Sequence, residues 1–292
     1  METLTTFFGS HAKKALSLSK VPTVISELNV YQEADPQILP ILDDMVGTLL
    51  LPGSGLDGLE NLEDLLAKAE SGKSCLLLPE HYSNFDLSII SLLVRRAGGR
   101  GGDINDAIVA ISGSKLNEDN AAVAAFAGAY TRIVIYPSRY LKDLHAEKNR
   151  EEFMRARAIN RAALKVLNEK KVNGKMILVF PAGTRYRPWD PGSKKGVREI
   201  DSYIRSFDYV CFIAINGEIL HVGKNDMMDD TVSNDVVRVT AGPVLSCAEF
   251  HEKARAAVAD DGDKKQAVAD AIMAELDAMH LAAGEKRQTL LK

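Results

Sequence analysis

Short apolar runs alternate with longer amphipathic stretches between residues 75 and 240, and no other sequence feature constrains the fold as strongly. The runs are bounded by polar turns, which is typical of strands buried on both faces. They cover residues 75–78, 107–111, 133–136, 176–180, 210–215 and 236–240. Strands alternating with helices predict an α/β fold: a mixed, largely parallel sheet covered by helices on both faces.

The first fifty residues have a different pattern and predict a small N-terminal helical region. Apolar residues recur at helical spacing over residues 7–18 and again over 38–49. A breaker cluster of Leu, Pro, Gly, Ser and Gly follows at 51–55. We therefore expect a helical region over residues 1–52 and an α/β domain over residues 53–292.

Composition narrows the functional classes. The chain has 292 residues, enough to bury a full core, and a net charge of −4, whereas nucleic-acid binders are usually basic. No apolar stretch approaches the roughly 20 residues needed to span a bilayer. The N-terminus does not read as a signal peptide. These features predict a soluble protein of the cytoplasm or an organelle stroma, with peripheral membrane contact left open and no nucleic-acid partner.

The cysteines are scattered along the chain and form no C-x-x-C motif. Each stands beside apolar residues, which is typical of reduced cysteines that serve in packing. They are Cys75, Cys211 and Cys247.

A histidine and an aspartate follow the first apolar run at a spacing that suits a general base. A carboxylate that accepts from one ring nitrogen leaves the other nitrogen free to take a proton. On one helix the side chains of His81 and Asp86 would lie roughly 140° apart, so a turn containing Ser83 must separate them. A chance pair at this spacing is expected about once in such a chain, and His221 with Asp226 is a second instance. We favour His81 because it directly follows a predicted strand.

A second motif follows the run at 176–180 and suits a phosphate ligand. Gly183 allows close approach of the backbone, and Thr184 follows it. Arg185 and Arg187 offer planar guanidinium groups, which donate paired hydrogen bonds to phosphate oxygens. Arg139, after the run at 133–136, is a third candidate. Binding sites in such sheets lie beyond the carboxyl ends of the strands, so the two motifs are expected to form a single site. Together they predict an enzyme that removes the proton from a hydroxyl group of a phosphorylated substrate.

The pattern H-x-S-x-x-D at His81, Ser83 and Asp86, followed by F-P-x-G-T-R, resembles the glycerolipid acyltransferases. The region of resemblance covers about residues 70 to 220 and is most similar to the soluble plastid type. The resemblance implies transfer of a fatty acyl group from acyl carrier protein or coenzyme A to the 1-hydroxyl of glycerol 3-phosphate. It implies His81 as the base, Asp86 as its partner, no metal, and no cofactor beyond the acyl donor.

The resemblance also assigns the phosphate contacts, which would be Arg139, Arg185 and Arg187. The sequence departs from the family pattern at three positions, Glu80, Tyr140 and Ala182. Many members have a glutamate at the alanine position, and an asparagine is more usual at Glu80, where a carboxylate close to the base would favour its protonated form. Two alternatives therefore remain: a lysophosphatidic acid acyltransferase, and a non-catalytic lipid- or phosphate-binding relative.

Acyl carrier protein is acidic, so a basic surface should dock it. Two clusters of basic residues are candidates for this docking surface. Coenzyme A remains the alternative carrier of the acyl group. The clusters are Arg95, Arg96 and Arg100, and Lys194, Lys195 and Arg198.

Overall fold

The computed structural model describes residues 2–118, 120–138, 140, 149–224, 230–259 and 261–291. Its strands follow the apolar runs and add several short segments. In chain order they are β1 (Glu2–Thr3), β2 (Tyr31–Gln32), β3 (Gly55–Asp57), β4 (Cys75–Pro79), β5 (Ile108–Gly113), β6 (Arg132–Ile135), β7 (Met176–Leu178), β8 (Tyr209–Asn216), β9 (Leu220–His221), β10 (Thr231–Val232), β11 (Arg238–Ala241) and β12 (Leu245–Ser246).

Within the described chain, nine of these strands form one sheet in the order β2-β6-β5-β7-β4-β8-β11-β3, with β12 also paired to β8. The five neighbouring strands β6, β5, β7, β4 and β8 run parallel to one another. At the edges, β2 and β12 are antiparallel to their partners, whereas β11 is antiparallel to β8 and parallel to β3. The predicted mixed, largely parallel sheet is confirmed. The pairing of Pro79 with Ile213 brings the chain after β4 and the chain after β8 to the same edge.

Helices cover both faces of this sheet. In chain order they are α1 (Leu4–Leu18), α2 (Leu39–Leu49), α3 (Leu59–Glu70), α4 (Asp86–Arg96), α5 (Gly101–Ala107), α6 (Lys115–Glu118), α7 (Ala121–Ala127), α8 (Arg150–Lys170), α9 (Ile200–Ser206), α10 (Cys247–Ala256) and α11 (Lys264–Leu290). Side chains alternate along a strand, so Cys75 and Leu77 pack with α2, α3 and α4, while Leu76 and Leu78 pack with α8 to α11.

The N-terminal helices share their apolar cluster with the sheet. Phe8 of α1 and Met45 of α2 are buried in the same cluster as Leu77 of β4. In addition, β1 pairs with β10, which pairs with β9 in a small antiparallel sheet. The division of the chain at residue 52 stays a prediction.

The cysteines are free and buried, which confirms their expected packing role. Burial is the largest cause that raises their thiol pKa values to about 12. None of the helices in the described ranges is both long and apolar enough to cross a membrane.

Candidate functional site

The predicted base and its carboxylate lie at the carboxyl end of β4, the central strand. His81 follows β4 by two residues and Asp86 begins α4. A turn separates them, as the sequence required, and it contains Ser83. The turn brings Nδ1 of His81 to 2.9 Å from Oδ2 of Asp86.

The aspartate is fixed by the turn that it closes. Its Oδ2 accepts from the backbone N–H groups of Tyr82 at 2.6 Å and Ser83 at 2.9 Å, and its Oδ1 accepts from the Ser83 hydroxyl at 2.8 Å. Asp86 is only 2% exposed. Because Oδ2 already accepts from two amides, Nδ1 of His81 is the donor in their shared hydrogen bond. The neutral imidazole therefore presents an unprotonated Nε2, which has no hydrogen-bond partner among the described residues.

The second motif packs directly against the first. The Phe180 ring stacks on the His81 imidazole with centroids 3.9 Å apart, and the Tyr186 N–H donates to the His81 carbonyl oxygen at 2.8 Å. Between them, Gly183 adopts a φ of 65°, which disfavours residues with a Cβ, and its N–H donates to the Phe180 carbonyl. Thr184 follows in the same turn and is partly exposed. The structure thus brings both predicted motifs to one site.

The arginines of this turn have different surroundings. Nη1 of Arg185 donates to Oδ2 of Asp230 at 2.6 Å, and that carboxylate is fully buried. A guanidinium has five N–H donors, so this ion pair cancels the charge of Arg185 but leaves donors for a further anion. The Arg187 guanidinium forms no ion pair with any residue that the structure describes. Arg139, the third predicted phosphate contact, lies outside the described residues.

Glu80 is buried and fully engaged by groups other than the base. Its Oε1 accepts from the Tyr82 hydroxyl at 2.7 Å, and its Oε2 accepts from the Ile215 N–H at 2.8 Å and lies 2.9 Å from Nδ1 of His280. Burial and the Glu80 carboxylate raise the pKa of Tyr82 well above 10, so its hydroxyl stays protonated and donates. The glutamate thus ties the end of β4 to β8 and to α11.

Ala182 and Tyr140 are the other two positions at which the sequence departs from the acyltransferase pattern. Ala182 is buried within the turn. The Tyr140 ring has the Lys115 ammonium 4.0 Å from its centroid, a cation–π contact.

The second histidine, His221, forms an ion pair with Glu218, three residues before it. Asp226, the partner that the sequence spacing suggested, lies outside the described residues. Its other ring nitrogen, Nε2, lies 2.7 Å from the Ser233 hydroxyl oxygen.

Ion pairs reduce the charge of both predicted docking clusters. Within the described chain, two cations of each cluster are paired, while Arg96 and Lys195 have no ion pair. The pairs are Arg95 with Asp43, Arg100 with Glu70 and Asp103, Lys194 with Asp277, and Arg198 with Asp263. Exposed pairs of this kind contribute little energy, but they lower the field that an acidic partner would meet.

Sequence reasoning missed Phe180, Asp230 and His280. Phe180 was assigned to a strand, although it stands directly before the Pro-Ala-Gly turn. Asp230 and His280 are distant in sequence from the residues they contact, and no local pattern indicates such pairs.

Among the described residues, no group of three or more His, Cys, Asp or Glu side chains could hold a metal ion. Comparison with known proteins adds no assignment, because no family model matches the chain and no curated protein matches it significantly.

Proposed function

We propose that this protein is an acyltransferase that moves a fatty acyl group from a thioester to the 1-hydroxyl of glycerol 3-phosphate. The observation that carries the proposal is the His81 imidazole, oriented by buried Asp86 and lying against the turn that bears Arg185 and Arg187. This arrangement combines a positioned base with a cationic turn, as acylation of a hydroxyl on a phosphorylated acceptor requires.

In the proposed reaction, Nε2 of His81 takes the hydroxyl proton as the acceptor oxygen attacks the thioester carbonyl. Asp86 stabilises the imidazolium that forms and keeps Nδ1 as the donor. Collapse of the tetrahedral intermediate breaks the C–S bond, and the departing sulfur takes the proton from Nε2. A positioned general base of this kind contributes about 10²- to 10⁴-fold in rate.

The phosphate would be held mainly by Arg187, the arginine of the turn that forms no ion pair with a described residue. Arg185 would add hydrogen bonds from the donors that Asp230 does not use, and Arg139 is proposed as a third contact. The proposed location is the cytoplasm or an organelle stroma, with acyl carrier protein or coenzyme A as the carrier. Arg96 and Lys195 are the cations best placed to dock an acidic carrier.

Acyl transfer by the purified protein tests the proposal. Palmitoyl and oleoyl groups on both carriers would be offered with either glycerol 3-phosphate or lysophosphatidic acid as acceptor. We expect transfer to glycerol 3-phosphate. Transfer only to lysophosphatidic acid would favour the alternative acceptor, and binding of glycerol 3-phosphate without turnover with any donor would favour a non-catalytic relative.

A further inference from the structure

We propose that Ser233, His221 and Glu218 form a second nucleophilic site, which takes an acyl group from a thioester or an ester onto the Ser233 oxygen. The Ser233 hydroxyl lies 2.7 Å from Nε2 of His221, and Nδ1 of the same ring lies 3.2 Å from Oε2 of Glu218. Nucleophile, base and orienting carboxylate thus stand in hydrogen-bonded sequence, the arrangement that activates a serine in unrelated hydrolases.

The assignment of the ring nitrogens supports this reading. Glu218 can only accept when ionised, so Nδ1 of His221 carries the proton and Nε2 is free to accept from Ser233. The hydroxyl has a weaker alternative acceptor, the Glu218 carbonyl oxygen at 3.4 Å, and the shorter contact to the imidazole is the stronger one. His221 and Ser233 are both partly exposed, so the pair is not sealed within the core.

The fold holds the three residues on different segments. His221 belongs to β9, and Ser233 follows β10, its antiparallel neighbour, with the Ser233 N–H donating to the Ile219 carbonyl oxygen. Glu218 follows β8, and its N–H donates to Asp235 at 2.8 Å. These backbone bonds fix the spacing between the side chains.

The proposed reaction needs no cofactor. The Ser233 oxygen attacks the acyl carbonyl while its proton passes to Nε2 of His221, and the departing thiol or alcohol leaves with that proton. Water then attacks the acyl-serine, His221 takes a proton from it and returns it to Ser233, and a carboxylic acid is released. The step does not use His81, so it does not rest on the function proposed above.

A second contact of a serine, a histidine and a carboxylate in the chain provides a matched control. The Ser10 hydroxyl oxygen lies 3.4 Å from Nδ1 of His11, whose Nε2 lies 2.9 Å from Asp44. In this cluster the serine faces Nδ1 and the carboxylate faces Nε2, the reverse of the arrangement at His221. The serine and the histidine are also adjacent in sequence, and the contact between the hydroxyl and the ring is long. We expect no activation of Ser10.

A fluorophosphonate probe tests the proposal on the full-length protein, with the labelled residue mapped by mass spectrometry. The probe should label Ser233 and leave Ser10 unlabelled, and Ser10→Ala should change nothing. Because a general base contributes about 10²- to 10⁴-fold, His221→Gln should slow labelling at least ~100-fold. Glu218→Gln, a milder change, should also slow it, and thermal melts would show that each variant is folded.

The same variants can be assayed for hydrolysis of palmitoyl-coenzyme A in a His81→Gln background. Hydrolysis that survives His81→Gln and disappears with Ser233→Ala would support the second site separately from the first. The proposal is overturned if the folded wild type leaves Ser233 unlabelled, or if labelling of Ser233 is unaffected by His221→Gln.

Discussion

Two substitutions at Asp86 should separate its structural role from its chemical one. Alanine removes the acceptor of two backbone donors, the N–H groups of Tyr82 and Ser83. A buried donor without a partner costs about 1–3 kcal/mol, so Asp86→Ala should lower the free energy of unfolding by about 2–6 kcal/mol. That loss is a large part of the roughly 5–15 kcal/mol that stabilises a typical domain.

Asparagine should preserve most of these bonds. Its carbonyl oxygen can take the Oδ2 position and accept from both N–H groups, while its amide faces the Ser83 hydroxyl, which can also accept. The remaining loss, from charged to neutral acceptors, is about 1–2 kcal/mol. Without the negative charge the imidazolium of His81 is no longer stabilised, so acyl transfer should still fall at least ~100-fold.

Urea denaturation and initial-rate kinetics on both variants test this reasoning. Equal losses of stability in Asp86→Ala and Asp86→Asn would show that the backbone bonds do not hold the turn. Full activity in Asp86→Asn would show that the charge does not act on the base.

Four further predictions concern other residues. Arg187→Gln should raise KM for glycerol 3-phosphate about 10- to 150-fold, from about 1.5–3 kcal/mol of lost charged hydrogen bonding, with stability unchanged. Arg185→Gln, in contrast, should also lower the free energy of unfolding, by about 3–5 kcal/mol, because it leaves Asp230 buried and unpaired; equal stability of the two variants in urea would contradict this. Glu80→Ala should lower the free energy of unfolding in urea by at least about 2 kcal/mol, since two hydrogen-bond donors lose their acceptor. The buried thiols, with pKa values raised to about 12, should resist iodoacetamide at pH 8 in the native state and react after unfolding, because only the thiolate is nucleophilic; rapid native alkylation would contradict their burial. They are Cys75, Cys211 and Cys247.

The layers of the fold were predictable because they depend on long apolar periodicities. Each of the six predicted runs overlaps a strand, and the amphipathic stretch between the third and the fourth run contains α8. Short elements such as β2, β9 and α6 were missed, because two to four residues carry no detectable period. The run at 176–180 was predicted too long: β7 ends at Leu178, since the chain turns towards Gly183 instead of continuing the ladder.

The site was predictable where its residues are close in sequence. The turn between His81 and Asp86 follows from helical geometry alone. The pairing of Arg185 with Asp230 and of Glu80 with His280 joins segments 45 and 200 residues apart, and such contacts depend on the complete fold. The contact between His221 and Glu218 was not predicted, because the fold brings these two side chains together.

The central claim is that His81 is the base, and a matched pair of histidine variants tests it most directly. His251 forms a similar bond, with Nε2 2.9 Å from buried Asp201, and both histidine side chains are 16% exposed. We expect His81→Gln to lower kcat for acyl transfer to glycerol 3-phosphate at least ~100-fold, while His251→Gln stays within about twofold of wild type despite a similar loss of stability. Equal rates for the two variants would contradict it.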